Sequence, residues 1–188
     1  MIWSDNISKL SETLKNLSVK DNQNNELALD KGFSLWKDIA LNARESGRSI
    51  FFVGNGASAS MASHFAADLA KNGRVKTEVF TDLALITAVA NDISYEQVFA
   101  EPLRLKMDKD DILVAISSSG NSPNVLRAAE TAAQLGGTVI TLSAMKAENK
   151  LRQSGNLNFY IPAQTYGLAE TGHAAILHSW IDSIVDPS

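Results

Sequence analysis

Four serines, Ser117, Ser118, Ser119 and Ser122, crowd into six residues of the chain, with Gly120 among them and Pro123 next in line. Hydroxyl groups donate hydrogen bonds without carrying a fixed charge, and glycine lets a backbone come close to a ligand. Proline suits the first turn of a helix, where unpaired N–H groups and the positive end of the dipole attract an anion. Phosphate binding is the chemistry this composition fits. A second loop of the same character, Gly54-Asn55-Gly56-Ala57-Ser58, precedes another small-residue stretch. Glycine, serine and asparagine are also the ordinary residues of turns, so one such loop says little. Two of them, each straight after a continuous apolar run, point to a ligand.

The ionisable residues form a second group. His64 and Asp68 are four apart behind the glycine loop, hence on one face of a helix. The other two histidines, His173 and His178, share the last helical stretch with Glu170. Five residues of helix turn a side chain by about 140°, so these two cannot face the same site. Glu170 and His178, eight apart, lie within about 80° of each other. Periodicity alone does not choose between the two histidines. Two imidazoles with two carboxylates suit a borderline divalent ion, most simply zinc. Imidazole and carboxylate are equally the groups that proton transfer beside a carbonyl requires. Taken alone, a helical His/Asp pair is more often a surface contact than a site.

The elements that must carry these residues alternate. Ile7, Leu10, Leu14 and Leu17 predict one amphipathic helix and Leu29, Phe33, Trp36, Ala40 and Ala43 a second, stopped near Gly47. A polar stretch, Asp21 to Glu26, separates them, with no strand expected before residue 48. Strands are then predicted at Ser49–Val53, Thr77–Phe80, Asp111–Ile116, Thr138–Leu142 and Asn158–Ile161, with helices between and a last helix from Gly167 to Val185. Continuously apolar strands alternating with helices mean an α/β fold, a parallel sheet covered on both faces. The expected division is an N-terminal helical extension, residues 1–46, serving packing or oligomerisation, ahead of one domain at 47–188.

Composition narrows the function. A net charge of −4 with no long basic run argues against nucleic acid as a partner. The chain has no cysteine, which excludes disulfides, thiolate metal sites and thiol nucleophiles. No apolar run is long enough for a membrane span, and the N-terminus lacks a signal pattern, so a cytoplasmic protein is expected.

Six strings in order, F-V-G-N-G-A-S-A-S, S-H-F-A-A-D-L, A-N-D, A-I-S-S-S-G-N-S-P-N-V, V-I-T-L and A-E-T-G-H-A-A-I-L-H, resemble the SIS (sugar isomerase) domain family over about residues 30–185. The nearest resemblance within it is to the phosphoheptose isomerases. That resemblance implies a three-layer, flavodoxin-like fold with five parallel strands, assembled as a homotetramer with active sites between subunits. It implies aldose–ketose interconversion of sedoheptulose 7-phosphate and D-glycero-D-manno-heptose 7-phosphate, in the heptose pathway of lipopolysaccharide or surface-glycan synthesis. Asn55, Gly56, Ala57, Ser58, Asn91 and Asp92 match its substrate-lining positions, and Ser117, Ser118, Ser119 and Ser122 its phosphate loop. His64, Asp68, Glu170 and His178 match its metal and acid–base cluster, one zinc per subunit, with Asp68 and Glu170 also at substrate. The resemblance makes Asp68 the base and His178 the acid.

Three positions depart from the family pattern. Asp68 stands for a glutamate, Glu170 for a glutamine and Ala57 for a glycine. Aspartate falls about one methylene short, and a misplacement of that order can cost about a hundredfold in rate. Glu170 supplies a second carboxylate that could ligate a metal or act as the base instead. The rival reading is a non-catalytic SIS-domain adaptor or sugar-phosphate sensor, of the kind that binds the replication initiator DnaA. Such a protein gives no reason for four ionisable groups to converge.

Overall fold

The computed structural model describes residues 2–185. Its sheet has seven strands, in the order β2-β1-β7-β6-β5-β3-β4. The strands are β1 (Ser18–Asp21), β2 (Glu26–Leu27), β3 (Ser49–Gly54), β4 (Lys76–Val79), β5 (Ile112–Ser117), β6 (Thr138–Ala144) and β7 (Leu157–Ile161). The helices are α1 (Trp3–Lys15), α2 (Leu29–Ser46), α3 (Ala57–Gly73), α4 (Leu83–Asp92), α5 (Ala100–Lys106), α6 (Pro123–Gln134) and α7 (Tyr166–Val185). The α/β class and the five parallel strands agree with the sequence. Two strands do not.

The segment between the first two helices is a hairpin, where the sequence reads as a polar break. β1 lies antiparallel on β7, with Val19 opposite Phe159, and β2 lies outside it. Its strands are four and two residues long, too short for periodicity to register. The polar residues make the turn: the Asp21 carboxylate accepts from the backbone N–H groups of Gln23 and Asn25 at 2.8 and 2.9 Å. What locks the hairpin down is Val19, fully buried, with Leu27 of β2 packed half-buried against the same core.

Helices cover both faces. On one side α2, α3 and α7 bury Trp36, Phe65, Leu69, Leu177 and Trp180 against Phe52, Ile116 and Phe159. The Trp36 and Trp180 rings stack at 4.1 Å and Phe159 meets Trp36 at 4.9 Å. Truncating either indole to alanine would cost about 3–5 kcal/mol. On the other side α5 and α6 bury Leu103, Val125, Ala128 and Ala132 against Phe51, Leu113 and Val139.

Chain direction explains where a ligand can sit. From β3 the chain moves outward to β4, then crosses back to β5 on the other side of β3. Where neighbouring strands send their connections opposite ways, the carboxyl ends leave a crevice. The glycine loop follows β3 and the serine loop follows β5, two strands paired from Ile50–Ile112 to Gly54–Ile116. Both loops therefore open on one edge.

Candidate functional site

A cavity of about 170 Å³ lies at that edge, lined by Asn55, Ser58, Ser117, Ser118, Ser119, Ser122, Tyr166 and Glu170. Five element ends build it: the ends of β3 and β5 and the starts of α3, α6 and α7. Ser117 and Ser118 are buried, and the Ser117 hydroxyl lies 3.1 Å from that of Ser122 and 3.4 Å from that of Ser119. Pro123 is the first helical residue of α6 and Ser122 its N-cap. The Ser122 hydroxyl makes no cap bond to the helix; it turns toward Ser117 instead. A hydroxyl that could have satisfied the helix end is thus left to the cavity.

The backbone of the serine loop is held from behind. Gly120 has φ +62°, and a Cβ there would collide with the Asn149 side chain. The N–H groups of Ala144 and Leu151 donate to the carbonyls of Ser118 and Gly120 at 3.1 and 2.9 Å. Asn149, itself buried, donates to Lys146 O at 2.8 Å and accepts from the backbone N–H of Arg152 at 2.9 Å. Any side chain at position 120 would push the loop off this support. Gly54 is as tight on the other loop, where a Cβ would lie 2.7 Å from that of Ser58.

Gly56 and Ala57, at the exposed start of α3, lie beside the cavity lining. Asn91 and Asp92 end α4, both exposed, with the Asn91 amide donating to the Asp92 carboxylate at 2.8 Å. They do not line the cavity.

His64 and His178 meet elsewhere on the same helices. α3 and α7 run side by side, and the two imidazole centroids are 5.7 Å apart, with the buried Phe65 ring 4.7 Å from His178. Both histidines are exposed. Asp68, one turn beyond His64, accepts from the Asn72 amide at 2.5 Å. Glu170 is eight residues before His178, about 12 Å along the helix axis. Among the described residues no three of these ionisable groups converge as metal ligands would. The pair supplies two imidazoles, half a tetrahedral donor set for zinc, with the Asp68 carboxylate one turn from His64.

His173 is a different histidine. It is fully buried, neither ring nitrogen has a hydrogen-bond partner, and burial pushes its pKa down to about 4 against a weaker opposing influence from the Ser143 backbone. It packs as a neutral core group.

Sequence reasoning missed three residues at the site. Tyr166 lines the cavity from the start of α7 with no signal in its neighbourhood. Asn124 is 1% exposed and exchanges two hydrogen bonds with Asn55. Its signal was legible: it shares the apolar α6 face with Ala128, Thr131 and Ala132, where a polar residue needs a partner. Tyr95 donates to the same Asn55 at 3.2 Å. A wider cleft, about 630 Å³, lies apart from all of this, between α1 and the end of β7. There Arg152 stacks on Tyr160 at 4.0 Å.

Comparison with known proteins follows the same geometry. The SIS domain family profile matches residues 11–144. A phosphoheptose isomerase of Helicobacter pylori (strain P12) is 35% identical over 78% of this chain and 79% of its own. One of Aliarcobacter butzleri (strain RM4018) is 35% identical over 79% and 80%. Among solved structures, a phosphoheptose isomerase from Francisella tularensis superposes with a TM-score of 0.82 at 26% identity, over the full length of both chains. The phosphoheptose isomerase GmhA from Neisseria gonorrhoeae gives 0.83 at 24% identity over 96% of both, a likeness of fold.

Proposed function

The chain belongs to the SIS domain family and to its phosphoheptose isomerases, and from that premise we propose that it interconverts sedoheptulose 7-phosphate and D-glycero-D-manno-heptose 7-phosphate. The observation that carries the reading is the cavity itself, which gathers five serines, one asparagine, one tyrosine and one carboxylate at a single sheet edge. The serine hydroxyls and the first turn of α6 receive the phosphate; their dipoles meet its charge without a buried cation.

Isomerisation moves one proton from the carbon beside the carbonyl to the carbonyl carbon, and a second between the two oxygens. It needs no external oxidant. We assign the carbon proton to Glu170, whose carboxylate lines the cavity, in preference to Asp68, which is bonded to Asn72 outside it. A carboxylate at that wall takes the proton and returns it to the neighbouring carbon, and fixed donors stabilise the enediolate between. His178, paired with His64 on the outer face of α7, is assigned the oxygen proton. This last assignment needs the reacting carbon–oxygen pair to lie between Glu170 and His178, with the two side chains reaching toward one another along α7.

The assembly belongs to the same proposal. Trp3, Leu83 and Leu105 expose 76%, 74% and 77% of their surfaces, apolar area that suits contact with other copies in a homotetramer. The proposed site of action is the cytoplasm. Incubation with sedoheptulose 7-phosphate, followed by NMR, tests the activity. Resonances of the aldose product are expected; an unchanged spectrum with correctly folded protein overturns the reading.

A further inference from the structure

Asn55 is a residue with two possible faces. A side-chain amide has two N–H donors on its nitrogen and two lone pairs on its oxygen, so it can offer a ligand either kind of bond. Which one it offers depends on what fixes its rotation. Here the fixing starts from a group that has no choice. The backbone N–H of Val125 donates to Oδ1 of Asn124 at 3.0 Å, and a backbone N–H can only donate. That orients the buried Asn124 amide, with Oδ1 toward Val125 and Nδ2 on the other side.

The orientation passes to Asn55 without ambiguity. Asn124 Nδ2 donates to Asn55 Oδ1 at 2.8 Å, and Asn55 Nδ2 donates back to Asn124 Oδ1 at 2.9 Å. A flipped Asn55 would set nitrogen against nitrogen and oxygen against oxygen. Tyr95 then donates its hydroxyl to Asn55 Oδ1 at 3.2 Å, filling the second lone pair. Both acceptor positions of Asn55 are spent within the protein. One of its two N–H groups is spent as well, and the other has no partner among the described residues. Asn55 lines the serine cavity.

We infer that Asn124 and Tyr95 are positioning residues that lock Asn55 as a donor-only group, so that at that point the cavity donates to a ligand oxygen and cannot accept a hydrogen bond from the ligand. The lock couples three segments: the glycine loop after β3, the first turn of α6 and the turn at Tyr95–Gln97 that follows α4. In the isomerase reading above, on which the inference rests for its biological ligand, the acceptor is a phosphate oxygen.

The test uses inorganic phosphate, which needs no turnover, on the full-length protein by titration calorimetry and by ¹⁵N NMR of the Asn55 side-chain amide. Phosphate binding to the wild type is expected, with one Asn55 amide proton shifting on titration and the other protected throughout. Asn55→Asp, which puts an acceptor in place of the free donor, is expected to lose at least tenfold in affinity and to bind more weakly than Asn55→Ala. Tyr95→Phe, at a residue 57% exposed, keeps the fold and is expected to weaken phosphate about threefold. Asn124→Asp is expected to lose tenfold or more and to abolish the protection of the Asn55 amide. Should that buried substitution unfold the chain, Tyr95→Phe and the ranking of N55D against N55A decide. Equal affinities for N55D and N55A, an unaffected Y95F, or no phosphate binding by the wild type each overturn the lock. Phosphate affinities that follow the expected order in a protein that leaves sedoheptulose 7-phosphate unchanged would retire the isomerase reading and keep the inference.

Discussion

Along α7, Glu170 lines the serine cavity, while His178, about two turns on, stands in solvent beside His64. Five element ends converge on the first place, with hydroxyls, amides and a supporting backbone already engaged. The second holds two imidazoles and a carboxylate turned to its own helix neighbour. One chain builds the serine-lined cavity with Glu170 at its wall and leaves two imidazoles open on its surface. In the proposed reaction the phosphate and the carbon proton both fall to the cavity, and the oxygen proton falls to the exposed histidines.

Substitutions at the two places test that contrast from either side. The largest expected effect is at Glu170: Glu170→Gln should lower kcat by about a thousandfold, within the range for loss of a general base, with KM little changed. Asp68→Asn should cost less than tenfold, and a D68N more damaged than E170Q in steady-state assays would move the base out of the cavity. His178→Ala should reduce kcat by about a hundredfold. Turnover intact in H178A would make the histidine pair a surface feature. Next comes Ser118→Ala with Ser119→Ala, expected to raise KM by about ten- to a hundredfold with kcat nearly constant, as loss of hydrogen bonds to a charged group predicts. An unaltered KM removes the phosphate from that loop.

The third histidine gives the smallest effect at neutral pH. His173 is neutral when folded, with a pKa of about 4, and protonates near 6.5 when unfolded. A lowered imidazole pKa stabilises the fold above 6.5 and withdraws that support as pH falls from 6.5 toward 4, by about 3 kcal/mol in all. Denaturant titrations across that range should show the loss, and His173→Leu should flatten it.

What the sequence made legible follows from how each feature is encoded. Four of the five parallel strands carry apolar runs, with β4 (Lys-Thr-Glu-Val) the exception, and the serine and glycine loops are compositional extremes, so these were readable. The β1–β2 hairpin depends on one buried valine and a turn made by Asp21, which leaves no periodic trace. The two Asn55 partners lie 69 and 40 residues from it in sequence, and only the fold brings them together. Spacing on α7 placed Glu170 and His178 on one broad face. It could not tell that eight residues of rise would assign them to different neighbourhoods.

The same hairpin bears on how the chain is made. Lys20 is translated well before its strand neighbour Asn158, which stands 138 positions later in the sequence. The hairpin that closes one border of the sheet therefore waits without its partner strand until β7 has been translated. The docking of β1 onto β7 is a late, long-range closure among the folding steps, and the nascent chain must carry Val19 exposed until then.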